Sequence, residues 1–343
     1  MGSVKDLIVI KEPDSKNAGE GIFIFSDRYS VFDWGEMPDH IPDKGASLCL
    51  VSAYFFEIFE ERGFKTHYLG LLDNSDSLYR LNHKTQASNR MKVKLVRIVQ
   101  PVFDGKDYDY STFQQEKANY LIPLEVIYRF SLPAGSSVFK RLKEGSLSFR
   151  DLGLDREPEP GTVLEEPFID FSTKLEHYDR YLTRKEAQEI SGLSEEKFEE
   201  LVVSVVKMAE IIRERYQALG IANEDGKFEF ALDEKGELML VDAVGTPDEC
   251  RFSKDGVTLS KELARIFYRG SPWHQEVEEA KKKYGQNWRK MVTAKPEPLK
   301  GQDLELLSDI YRSLANALIG KNIFSGAPDI TDLIDRIKER LNG

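Results

Sequence analysis

"DGKFEFALDEKGELMLVDAVGTPDECRF", residues 225–252, begins with charge at every second position and aromatic rings in between. Successive side chains of a strand point to opposite faces, so Asp225, Lys227 and Glu229 share one face and Phe228 and Phe230 the other. "DEKG" predicts a hairpin turn, and "LMLV" a returning strand in which Leu238, Leu240 and Val241 are buried. With an even turn centred on Lys235–Gly236, Glu229 falls directly opposite Asp242. Opposed Cβ atoms lie ~4.5–5.5 Å apart, and like charges there are destabilising. A divalent cation removes that conflict, because two carboxylates plus phosphate oxygens suit Mg²⁺. Lys227 on the same face can reach a phosphate. An odd turn would shift the register by one, and the plain alternative is a solvated hairpin with ordinary surface charges.

The rest of the chain narrows the class. It has 343 residues, a net charge of −11, 41% apolar and 31% charged residues. These are globular values for two or three lobes, and the acidic balance disfavours nucleic acid as a partner. No apolar run approaches the ~20 residues that span a bilayer, and "MGSVKDLIVI" shows no signal peptide. Cys49 and Cys250 form no disulfide framework or metal-ligand spacing, which suits a reducing cytoplasm. The oligomeric state, a homo-oligomer included, is left open.

Working outward, "LIVI", "GIFIF", "SDRYSVFDW", "KTHYLGLL", "KVKLVRIV" and "IPLEVIYRF" read as strands of a mainly antiparallel N-terminal lobe. "KGASLCLVSAYFFEIFEERG" reads as a buried helix capped by Gly63. Residues 104–120 read as a polar surface insertion and 155–167 as a Pro-rich, acidic linker or loop. Thr183 and Glu186 form a capping box, followed by a turn and a long amphipathic helix ending at Gly220. Beyond Phe252 the pattern is helical, interrupted by "TAKPEPLKGQ".

Six collinear segments resemble the SAICAR synthetase family. "GKFEF…LMLVDAVGTPDECRF" is similar to its Asp-x-Lys-x-Glu-Phe and Asp-x-x-(Ser/Thr)-Pro-Asp-x-x-Arg motifs. "SDRYSVFDW", "IPDKGASL", "IPLEVIYRFSLPAGSSVFKRL", "FSTKLEHYD" and "LLSDIYRSLANALIGKNIF" match others in order, from about residue 2 to about residue 324. The resemblance implies an α+β fold related to ATP-grasp and kinase nucleotide-binding folds. It implies a β-rich nucleotide-binding lobe at 1–128, a central α+β lobe with the hairpin at 129–255 and a helical region at 256–343. It also implies a chemistry: ATP activates the carboxylate of the ribotide CAIR as an acyl phosphate, and the amine of L-aspartate displaces phosphate.

Residue roles follow from that resemblance. Glu229 and Asp242 are the Mg²⁺ candidates, with Asp225 and Lys227 beside the transferred phosphate and Lys5 on ATP. Arg129, Ser136 and Arg251 are expected on the ribotide, since arginine offers a forked donor to phosphate, and Asp248 among the substrate-binding residues. Glu125 lies four residues before Arg129 on a strand and shares its face. Lys174, His177 and Asp179 are expected near the amine substrate, and Asp27, Arg28, Ser30 and Asp33 in an active-site loop. Three departures stand out: Ser3 where the family has Lys, Ala243 where many members have Glu, and a shortened 174–179 loop. They leave two alternatives: a divergent ligase for another carboxylate and amine, or a non-catalytic nucleotide-binding homologue.

Overall fold

The computed structural model describes residues 4–82 and 85–342, so Gly2 and Ser3 lie outside it. A five-stranded antiparallel sheet occupies the first third of the chain. Its strands are β1 (Lys5–Lys11), β2 (Gly19–Phe25), β3 (Tyr68–Leu72), β4 (Leu78–Tyr79) and β5 (Arg90–Leu95), in the order β1-β2-β5-β3-β4. Helix α1 (Lys44–Glu61) packs against it, and Gly63 follows at φ +86°, as its place after the last turn predicts. A small hairpin, β6 (Val102–Phe103) and β7 (Tyr108–Asp109), stands apart.

The second sheet carries the site. Strand β8 (Tyr120–Leu132) pairs with β9 (Thr162–Thr173) on one side and β11 (Ala222–Leu232) on the other. The expected lobe boundary between residues 128 and 129 falls within β8. The loop read over 155–167 ends early, because Thr162 already pairs with Leu132. Helix α2 (Ser137–Glu144) follows β8. After β9 come β10 (Tyr181–Leu182), α3 (Arg184–Ser191) and α4 (Glu195–Gln217). Both capping-box bonds at Thr183 and Glu186 are made. Helix α4 covers the back of this sheet, where Phe198 meets Phe171 at 5.3 Å, and Phe228 packs between Tyr128 and Phe59 of α1.

Strand β11 is paired twice on one edge. Its first half, Ala222–Gly226, pairs with β13 (Cys250–Lys254), and its second half, Glu229–Leu232, with β12 (Leu238–Val241). The chain leaves the sheet at Asp242, whose φ is +67°, and returns at Cys250. Residues 242–249 are therefore an excursion opposite Lys227 and Phe228. The outer edge of β12 is covered by residues 65–67: Leu240 N donates to Lys65 O, and His67 N to Leu240 O, each at 2.9 Å. These bonds join the two sheets. Strand β14 (Val257–Thr258) and helices α5 (Glu262–Tyr268), α6 (Pro272–Tyr284), α7 (Gly301–Ile319) and α8 (Ile330–Asn342) complete the chain.

Two expectations are corrected here. The turn between β11 and β12 spans five residues, Asp233–Glu237, because Asp233 Oδ1 accepts from the amides of Lys235 and Glu237 and fixes an odd loop. Glu229 accordingly stands opposite Val241, not Asp242. "SDRYSVFDW" is not a strand. Phe32 and Asp33 have positive φ, and the Met37 and Ile41 amides donate to Tyr29 O and Asp27 O, folding the segment into an irregular loop. Tyr29 and Val31 are buried within it, so its apolar alternation comes from burial and not from a pleat.

Candidate functional site

Strand register places the first charges on the open face of the second sheet. Arg129 stands opposite Asp225, Glu125 opposite Glu229, and Ile127 opposite both Lys227 and Asp170. The directly opposed acids are thus Glu125 and Glu229, and two lysines resolve their conflict. Lys227 Nζ donates to Glu125 at 2.8 Å and to Glu229 at 3.3 Å; Lys174 Nζ donates to Glu229 at 2.6 Å and to Glu125 at 3.3 Å. Burial pushes the Glu229 carboxyl up, but Lys227, Lys174 and Lys5 outweigh it and hold it at about 2. Burial works against both ammoniums as well. It is outweighed by Glu249, Glu229 and Glu125 at Lys227 and chiefly by Glu229 at Lys174, so both sit above their ordinary value.

A second row of charge lies beside the first. Arg141, Asp170, Arg129, Asp225 and Arg251 form an alternating chain with contacts of 2.5, 3.1, 3.2 and 3.4 Å. Asp170 and Arg129 are each only 2% exposed. Arg129 Nε is buried without a hydrogen-bond partner. The chain opens onto a cleft of about 170 Å³, also lined by Lys227, Glu249, Lys261 and Arg265.

The excursion at 242–249 supplies three groups. Asp242 is paired with Lys5 of β1. Lys5 also feels Glu229 and Glu249, and burial lowers its ammonium to about 8. Glu249 O accepts from the Lys227 amide at 3.2 Å, and its carboxylate lies 3.5 Å from Lys227 Nζ. Asp248 points inward. It pairs with Lys44 of α1 at 2.8 Å and accepts from the Tyr311 hydroxyl at 2.6 Å. Its carboxylate, expected among the substrate-binding groups, is thus nearly all buried, and Asp248 also lines the cleft beside Arg251.

The other expected residues separate into those gathered and those not. Lys174 is in the first row. Asp179 is at the surface on the same side; burial, Glu125 and Asp33 push its carboxyl up against the pull of Lys227 and Lys174. His177 points outward, against Phe103 and Tyr108 of the small hairpin. Ser136 spends its hydroxyl capping α2, accepting from Val138 N, and its neighbour Ser137 accepts from Arg129. Asp27 accepts from Gly45 N at the start of α1, Arg28 pairs with Asp6, Ser30 accepts from Gly35 N, and Asp33 pairs with Lys281. The 27–33 segment is therefore held mainly by its own surroundings. Among the described residues no three acids, histidines or cysteines are grouped as a metal centre. With the register corrected, strand pairing no longer sets Glu229 and Asp242 face to face; what they share is Lys5, which pairs with Asp242 and feels Glu229.

Sequence reading missed Asp170, Arg141, Glu249, Lys261 and Arg265. Asp170 had a signal, lying two before Ser172 on the strand-like "PFIDFST". The others are brought in by the excursion and the helices, which no local spacing encodes.

The α+β fold is shared with solved structures. "SAICAR-synthase from Saccharomyces cerevisiae complexed SAICAR" has a TM-score of 0.63 at 24% identity and covers 94% of each chain. "SAICAR synthetase (Type-2) in complex with ADP" has a TM-score of 0.56, covering 87% of this chain and all but 1% of the other. At such identity these carry the fold; sequence carries the family. The SAICAR synthetase model matches residues 2–283. A phosphoribosylaminoimidazole-succinocarboxamide synthase of Thermoplasma volcanium is 33% identical over 88% of this chain and 93% of its own. An Archaeoglobus fulgidus protein that carries the same name provisionally is 51% identical over 99% of this chain and all of its own. The chain belongs to the SAICAR synthetase family, ATP-dependent ligases that join CAIR to L-aspartate in purine biosynthesis.

Proposed function

We propose that this chain performs the family's reaction with its three substrates divided along the charged face. The observation that carries this is the pair of adjacent charge rows, one of lysines bridging Glu125 and Glu229, the other of arginines alternating with Asp170 and Asp225. Arg129 and Arg251, with Lys261 and Arg265 lining the same cleft, hold the ribotide phosphate; forked guanidiniums suit that anion. Lys5 and Lys227 face the phosphates of ATP, and Asp225 keeps both arginines in place. Lys174, with Asp179 nearby, receives the dicarboxylic amine.

Mg²⁺ enters this reading through Glu229 and Asp242. Their ionised oxygens are the hard donors it prefers, and Glu229 is held in that form well below neutrality. When bound, the ion would neutralise charge on the transferring phosphoryl group. The chain's own groups do the rest: they fix the CAIR carboxylate against the phosphoryl donor and the amine against the activated carboxyl, which converts encounters into positioning.

The test is direct. The purified chain with ATP, Mg²⁺ and CAIR should release ADP when aspartate is added, and Lys174→Ala should raise the aspartate requirement strongly while leaving that for ATP nearly unchanged. ADP release with CAIR and only some other amine would favour the divergent ligase. No CAIR-dependent turnover with any amine would sink the reading.

A further inference from the structure

Residues 174–180 form a loop with two sides. Its base is closed by Thr173 and Arg180: Thr173 N donates to Arg180 O at 3.0 Å, and Arg180 N to Thr173 Oγ1 at 3.1 Å. Lys174 and Asp179 turn toward the charged face, where both feel Glu125 and Lys227. Glu176 and His177 turn the other way, and both are gripped by the small hairpin and the residue just after it. Tyr110 donates its hydroxyl to Glu176 Oε1 at 3.0 Å, and the His177 amide donates to the Tyr108 hydroxyl at 3.0 Å. That hydroxyl also meets His177 Nδ1, and Phe103 packs edge-on to the imidazole. Arg180 donates to Glu176 from the loop's far end. Tyr110 itself is buried, so its bond is not a passing surface contact.

We propose that the hairpin is a clasp for the amine substrate's loop, with Tyr108 and Tyr110 as positioning residues that set aspartate affinity through Glu176 and His177. The proposal rests on the reading that Lys174 receives the amine substrate. The physical ground is the cost of order. A short loop with exposed residues at its tip samples many conformations, and a lysine held to one place loses less freedom on binding than one that must be fixed by the ligand. The two tyrosines fix the loop from outside, and among the described residues their hydrogen bonds and ring contacts lie with the loop and the hairpin region, not with the charged rows. They affect the amine and leave the nucleotide and ribotide alone.

The experiment measures KM for each of the three substrates, and kcat, in Tyr108→Phe, Tyr110→Phe and the double variant, beside Lys174→Ala. A hydrogen bond of ordinary strength predicts a rise of roughly five- to tenfold in the aspartate KM of the double variant. The KM values for ATP and CAIR, and kcat, should stay within about twofold by the same argument. An unchanged aspartate KM, or all three KM values rising together, overturns the clasp. The Lys174→Ala arm reads the underlying assignment separately: an unchanged aspartate KM there overturns the role of Lys174, whatever the tyrosine variants do. Thermal unfolding of the phenylalanine variants excludes general loosening: each change removes one hydroxyl and keeps the ring, so the midpoint should stay within about 2–4 °C of the parent's.

Discussion

Glu229 accepts from two lysines and is electrostatically coupled to a third. Glu229→Gln keeps the shape and removes the charge, leaving Lys174 and Lys227 with Glu125 as their nearest shared counter-ion. Removing one charged group that orders the phosphate-facing lysines costs about 3 kcal/mol of transition-state stabilisation, so kcat/KM should fall by about a hundredfold or more. Near-normal turnover at limiting Mg²⁺ in a folded variant would contradict this. The same carboxyl makes a pH prediction. Its value is about 2 in the folded chain against 4.5 ordinarily, so its contribution, on the order of 3 kcal/mol, is complete above about pH 4.5. It is lost as pH falls through about 2. Urea midpoints measured from pH 6 to pH 3 should drop less steeply for Glu229→Gln than for the parent chain. At this scale the sequence was informative where strand alternation rules. Asp225, Lys227 and Glu229 do share a face, and so do Glu125 and Arg129. It misled at Asp242, because one residue in a turn moves every partner across the strand, and it gave no hint of the direction of His177, which is set by a hairpin remote in sequence.

Strand β11 works because its two halves are paired by different strands and its middle is left to the excursion. Gly226 sits at that junction, where an added Cβ would come within 2.4 Å of the Tyr128 hydroxyl and 2.7 Å of Cys250 Sγ. Gly226→Ala should therefore destabilise the chain by about 1–3 kcal/mol and displace Asp225 and Lys227 on either side. The check is a lowered unfolding midpoint together with a raised KM for CAIR; a midpoint equal to the parent's would contradict it. Elements with local signals were legible: α1 with Gly63, the Thr183 capping box and α4 all lie where spacing and caps put them. The 26–43 segment was not, since burying Tyr29 and Val31 in an irregular loop leaves the same apolar trace as a strand. The 104–120 stretch read as a polar surface insertion, and its tyrosines gain meaning only from Glu176 and His177.

Across the whole molecule, the Lys44–Asp248 pair ties α1 to the excursion, and Tyr311 adds α7. Burial lowers the Lys44 ammonium. It also pushes Asp248 up, but Lys44, Lys261 and the Tyr311 hydroxyl hold that carboxyl well below the usual range. Lys44→Met would strand a buried carboxylate and cost about 3–5 kcal/mol. Adding Asp248→Leu should recover much of that loss, as a double-mutant cycle of unfolding free energies would show; no recovery would mean the pair is not the unit. The seam between the sheets has a further consequence for biosynthesis. His67 and Asp242, which meet at it, are 175 residues apart. At translation rates of about 5–20 residues per second, the ribosome needs about 9–35 s to make the second after the first. Through that interval residues 65–67 have no β12 to cover, and the first sheet waits with an unfinished border. In a nascent chain that border is completed only when the strand leading into the excursion arrives. Chains arrested before it should be protease-sensitive near residues 65–67, and chains arrested well beyond it protected there.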